Sequence, residues 1–251
     1  MRFKKKKSIP VDDYQGLISD LMASLTFIFI IAMMAFMKQH TDYVVTVQNY
    51  NEAREELLIK LKESLKDYKV NVIIDENFES LRITDTQKNK FFESADEMPT
   101  KEGKLVLEVV AKILNEELNC ETTNIKGLCD KNKNLVIENM LLEGHTDSEP
   151  ISGCLKKNSN ICDNLSLSKN RAYYAYNIIE NVIGKEKIQS FRNLKRQSIV
   201  NISGYGATRL IKDIPQSSAL NRRIDIRFLM HQPDIVKNLK KKITRKISSA
   251  K

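Results

Sequence analysis

The residues able to do chemistry fall into three groups. The first is Asp147, in GHTD at 144–147, with Arg171, in NLSLSKNRA at 164–172; GYGATR at 204–209 and NRRIDI at 221–226 follow. A carboxylate and a guanidinium at one cleft can hold a zwitterion. Arg takes a carboxylate in a two-pronged contact and Asp takes an ammonium. The plainer alternative is that Asp147 and Arg171 pair with each other and tie a loop to a helix. The second group is a single acid, Asp20, inside the apolar run Leu17–Met37. An acid in a membrane span costs about 3 kcal/mol on insertion scales and usually faces a partner or an ion path. An interfacial helix cap is the alternative. The third group is Cys120, Cys129, Cys154 and Cys162. Three pairings exist for four cysteines; the local one, Cys120–Cys129 and Cys154–Cys162, is expected. A zinc site from these cysteines and His145 is the rival, though its spacing fits no common finger pattern. His40, His145 and His231 are scattered, and no nucleophile–base pair or metal set accompanies Asp147. No enzyme, cofactor or metal is therefore expected, and His145 reads as a strand-end residue.

These groups need elements to position them. The run Leu17–Met37 has the length that crosses a hydrocarbon core roughly 30 Å thick. Residues 38–68 contain neither proline nor glycine, and Leu57, Leu61, Leu65 and Tyr68 recur at helical spacing, which predicts a helical connector. Its heptad seam is interrupted by Arg54 and Ser64, so a coiled coil stays open. VNVIID (70–75) and LRITD (81–85) read as short strands. Thr100 is placed to cap a helix over KEGKLVLEVVAKILNEELN. LVIENMLLEG (135–144) reads as a buried strand, and LSKNRAYYAYNIIENVIG as a helix ending at Gly184. SIVNISGYG (198–206) and RRIDIRFLM (222–230) read as two further strands. Strands alternating with helices define an α/β domain. The expected organisation is a basic tail (1–16), a transmembrane helix (17–37), a helical linker or plug (38–68), a sheet domain (69–232) and a basic tail (233–251).

Charge narrows the function. Arg2, Lys4, Lys5, Lys6 and Lys7 open the chain; Lys237, Lys240, Lys241, Lys242, Arg245, Lys246 and Lys251 close it. These cations outnumber the net charge of +9, so the rest is slightly acidic. A nucleic-acid-binding core would itself be basic, so no nucleic-acid partner is expected. The basic start fits an N-terminus on the cytoplasmic side. A signal peptide fits less well, because the apolar run is long, Asp20 interrupts it, and no small-residue cleavage site precedes Lys38. The cysteines then lie outside the cytoplasm, where disulfides persist.

GHTD, N-x-x-L-S-x-x-R-A, G-x-G and N-R-R-hydrophobic-acid-hydrophobic, in this order, resemble the OmpA-like peptidoglycan-binding domain over roughly residues 80–230. The resemblance implies a βαβαβ domain whose cleft grips the diaminopimelate of the stem peptide through Asp147 and Arg171. Thr146, Asn164 and Arg222 match accompanying positions. The chain departs from the pattern between Asp147 and Asn164, where sixteen residues, including Cys154 and Cys162, replace a short connection. The stretch SDLMASLTFIFIIAMMAFM resembles the MotB-type stator helix: Asp20 and Met22 match, Ser19 replaces Ala, and Tyr14 is what remains of an aromatic cluster. Together these resemblances imply a homodimeric, single-pass inner-membrane subunit with a periplasmic C-terminal domain. A multi-span MotA-like or ZorA-like partner and a proton, or alternatively sodium, carried by Asp20 complete the picture. Flagellar MotB and the ZorB subunit of Zorya anti-phage systems share this plan. The compact chain, the DLM motif and the cysteine pairs favour the latter. A passive wall tether and a peptidoglycan hydrolase are the readings of other classes; the tether would need no Asp20, and the hydrolase lacks its catalytic groups.

Overall fold

The computed structural model describes residues 11–68, 70–85, 90–151 and 161–233. Helix α1 runs Val11–Ser64. The chain divides into two compact units, and the boundary falls within α1, after Val47. In the first unit the expected span 17–37 is helical throughout. The helix is long and apolar enough to cross a membrane. Leu21, Leu25, Phe29 and Phe36 are all exposed, as side chains bound for lipid would be. Ser24 and Thr26 return their hydroxyls to Asp20 O and Met22 O at 2.8 and 2.6 Å. The helix thus hides its own polar groups.

The second unit, Gln48–Gln232, corrects the expected organisation. The linker 38–68 is not a free connector along its whole length. Ala53, Leu57, Leu58, Leu61 and Leu65 are at most 1% exposed and belong to the domain core. Their spacing is the broad stripe of a helix lying on a globular core, wider than a two-residue coiled-coil seam. The domain therefore starts near residue 48, not at 69.

Among the described residues, five strands, β1 (Asn71–Ile74), β2 (Ser80–Thr84), β3 (Ile137–His145), β4 (Val200–Gly204) and β5 (Arg223–Met230), form one sheet in the order β1-β2-β5-β3-β4. Only β3 and β4 pair parallel; the other neighbours are antiparallel. The expected α/β class holds, with two refinements to βαβαβ: the first strand is a hairpin, and the last, β5, lies at the centre. The hairpin turn is tied by Asp75, whose Oδ1 accepts from the main-chain N–H of Glu79 and Ser80. Helix α2 (Lys101–Glu117) begins at Thr100, whose hydroxyl oxygen accepts from Gly103 N as expected of a cap. Helix α3 (Asn164–Ile183) ends at Gly184, and a short α4 (Lys185–Ser190) follows.

Alternation along the strands sorts the two faces. Leu81, Ile83, Met140, Leu142, Ile224, Ile226 and Phe228 are fully buried on the core face. Helix α3 packs on β3 and β4 and against α2. It comes so close that a Cβ on Gly144 would lie 2.0 Å from Ser168 O, and one on Gly204 would lie 2.5 Å from Lys169 N. Two glycines of the sequence motifs are thus packing requirements: no side chain fits beneath α3 at these points.

Candidate functional site

Two polar clusters occupy the sheet domain. The first gathers at the C-terminal end of β3. Thr146 and Asp147 follow the strand, and the main-chain N–H of Thr146 donates to Gly206 O at 3.0 Å. Asp147 is 6% exposed, and its Oδ2 accepts from Arg222 Nη1 at 2.9 Å. The other arm of Arg222 reaches Asp85 Oδ2 at 3.4 Å. Asp85 directly follows β2, and its Oδ1 accepts from Phe91 N at 2.6 Å. Burial pushes the Asp85 carboxyl above its ordinary range, against the pull of these hydrogen bonds and of Arg222. One guanidinium is therefore shared by two carboxylates. Thr146 Oγ1 and Arg222 Nε are buried and find no hydrogen-bond partner among the described residues.

Arg171 sits elsewhere than expected. Neither a direct pair with Asp147 nor an open carboxylate grip is present. The side chain is 0% exposed. Nε donates to Asp96 O at 2.9 Å and Nη2 to Glu93 O at 3.0 Å, with a longer contact from Nη1 to His145 O at 3.5 Å. The guanidinium also lies 4.7 Å from the centre of the Phe92 ring. Burial first, and then the nearby Arg222, bring its pKa down to about 10, so it remains charged at neutral pH. The segment it clasps includes Ala95 at φ 54°, an uncommon conformation for a residue with a Cβ. Arg171 binds the 93–96 segment to α3 and forms the cluster's wall. Asn164 has a similar role: its Nδ2 donates to Glu149 O at 2.9 Å and to Asp147 O at 3.3 Å, fixing the chain beyond Asp147.

The second cluster lies on the sheet face away from α3. Register places Asp225 opposite Arg82 on one side and Glu143 on the other, with Arg223 opposite His145. Asp225 accepts from Arg82 and Arg223 on both oxygens at 3.2 Å. Glu143 Oε1 accepts from Arg227 at 3.2 Å and Tyr205 at 3.3 Å. His145, 1% exposed, stacks on Tyr205 with ring centres 5.3 Å apart. Burial, with Arg223, Arg82 and Arg209 nearby, lowers its pKa to about 3 against the pull of Asp225, so the ring is neutral. Ligand atoms of Glu143, His145 and Asp225 lie within 4.8 Å of one another. The arginines already saturate Asp225, however, and a divalent cation would meet their charge. Glu143 Oε2 and both ring nitrogens of His145 are buried and find no hydrogen-bond partner among the described residues.

Cys120 and Cys129 are joined, as the local pairing expects, with Cα atoms 5.8 Å apart. Cys162 is also disulfide-bonded. Cys154 lies outside the described residues, as do the rest of 152–160 and the basic tails 1–10 and 234–251. Sequence reasoning did not single out Asp85. Its only signal was an acid directly after a strand, in LRITD.

No protein-family model and no curated protein matches the chain. Among solved structures it is similar to the cell wall anchor of the T6SS from Pseudomonas aeruginosa: 20% identity, 71% of this chain and 99% of that chain covered, TM-score 0.44. It is similar to the periplasmic domain of Helicobacter pylori MotB, at 17% identity, with 70% and 88% covered and a TM-score of 0.42. It is also similar to a MotB like protein from Desulfovibrio vulgaris, at 13% identity, with 74% and 96% covered and a TM-score of 0.46.

Proposed function

We propose that the chain is a single-pass membrane subunit of an ion-driven stator whose outer domain is anchored to peptidoglycan. The observation that carries the reading is the covalent join of two parts. One is an apolar helix in which Asp20 is the only charged residue between Asp13 and Lys38; the other is a domain that gathers the motif residues at one end of its sheet. A carboxylate that alternates between dry and wet surroundings takes up and releases a proton. Asp20 has that role here, beside a multi-span partner of the MotA or ZorA type, in a complex holding two copies of this chain. The N-terminus is cytoplasmic and the sheet domain periplasmic.

The wall ligand is the diaminopimelate end of a stem peptide. Its ammonium meets Asp147 and Asp85, and its carboxylate takes the Arg222 guanidinium beside Thr146. Arg171 and Asn164 hold the walls. Of the two settings for such a stator, the Zorya-type defence setting is preferred to the flagellar one, on the DLM motif and the cysteines.

The deciding experiment is Asp20→Asn in the assembled complex. Ion flux and activity should vanish while the subunit still inserts and still pulls down peptidoglycan. Flux and activity at the wild-type level would leave only a passive wall tether.

A further inference from the structure

A further polar site, distinct from both clusters, lies where β3 begins and β5 ends. Asn51, Arg54, Glu79, Glu138, Lys195, Leu229 and His231 are among the residues lining a cleft of about 420 Å³ there. That volume falls within the roughly 300–1,000 Å³ of small-molecule sites. Its acids are already satisfied. Glu79 pairs with Arg227 at 3.2 Å. Glu138 is held by Lys195 at 2.5 Å and by His231 at 3.1 Å. The nearby Asp75 spends Oδ1 on the hairpin turn.

Arg54 is the exception. It projects from the part of α1 that belongs to the sheet domain. Its Nη2 makes a long contact to Asn77 O at 3.4 Å. Its Nε is buried and finds no partner among the described residues. A partly buried guanidinium with an idle edge is costly unless something accepts from it. Burial brings its pKa below the ordinary value, against the pull of Glu79 and Asp75. The cleft thus offers a planar fork of donors, a second cation in Lys195, and an apolar wall in Leu229, which is 37% exposed.

We infer that this cleft is a binding site for a small carboxylate, which Arg54 grips end-on through its two Nη groups, with Lys195 as the second contact. A carboxylate is favoured over a phosphate because its two coplanar oxygens match the fork, and because Lys195, already shared with Glu138, adds one contact and not a full charge. The site is separate from the Asp147 cluster, so neither proposal depends on the other.

The test uses the full chain in detergent micelles, with succinate and inorganic phosphate as probes and sodium chloride at matched ionic strength as control. Succinate should raise the melting temperature measurably above the chloride control. Arg54→Gln should abolish the shift and Lys195→Gln should weaken binding several-fold, while peptidoglycan pull-down stays at the wild-type level in both. Lys195 is exposed enough for its variant to fold even if the Arg54 variant does not. No shift with succinate, an unchanged shift in Lys195→Gln, or a larger shift with phosphate would overturn the assignment.

Discussion

The two polar clusters of the sheet domain assemble the same residue types in different ways. On the sheet face, Arg82, Asp225, Glu143 and Arg223 sit on neighbouring strands at fixed register, so the ladder itself sets Arg82 opposite Asp225 and both acids among arginines. At the strand ends, Asp85, Asp147 and Arg222 come from three chain segments, and one guanidinium must serve two acids. Both keep buried polar atoms without a hydrogen-bond partner among the described residues: Glu143 Oε2 and the two ring nitrogens of His145 on the face, Arg222 Nε and Thr146 Oγ1 at the strand ends. Charges fixed by register come together with the strands; charges carried on loops come together only when the loops are placed.

The hardest blow to this contrast is Asp225→Asn. It leaves Arg82 and Arg223 facing each other with a neutral amide between them. Removing one member of a buried ionic group costs about 3 kcal/mol or more. Chemical denaturation should show that loss, while the fraction still folded binds peptidoglycan normally. A loss below about 1 kcal/mol would mean that the face cluster does not stabilise the fold in this way.

Acid probes the same cluster more gently. His145 has a folded-state pKa of about 3 against an ordinary 6.5, so the unfolded chain binds the proton more readily. Its contribution to stability is complete above pH 6.5 and drains away as pH falls towards 3. Between pH 7.5 and pH 5 the expected loss is about 2 kcal/mol. Denaturation midpoints across that range measure it. His145→Gln should flatten the slope.

The strand-end cluster predicts the smallest change in stability. Asp147→Asn and Arg222→Gln should each shift unfolding by no more than about 1–2 kcal/mol, because both side chains border solvent. Peptidoglycan pull-down should nevertheless fall at least tenfold in each, roughly what the loss of one charged hydrogen bond gives. Normal pull-down in both variants would make this cluster structural too. Arg171→Ala is a poor probe of binding, since it empties a fully buried position and removes the donors to the carbonyls of Glu93 and Asp96, which endangers the fold first.

Much of the fold was legible because period and punctuation agree. Thr100 caps α2 and Gly184 closes α3 as their residue types require, and the alternation in RRIDIRFLM becomes β5. The docking of α1 was not legible. An apolar stripe at Ala53, Leu57, Leu61 and Leu65 says that something covers it, not whether that is another helix or the chain's own core. The site was half legible. Motif order pointed to Asp147, Asn164 and Arg222, yet the division of labour between Arg171 and Arg222 depends on contacts with Asp85 and with the 93–96 segment. Those partners are separated by 75 to 137 residues, and no local pattern encodes them.

Gly144 and Gly204 set a length standard for the molecule. Two absent carbon atoms let α3 settle onto β3 and β4 at a single depth. Everything that α3 carries is measured from there: Ser168, whose hydroxyl oxygen accepts from Gly206 N at 2.8 Å, Arg171 in its wall, and Asn164 on the carbonyl of Asp147. The tolerance of the strand-end cluster is thus fixed beneath it, by residues that have no side chain to contribute.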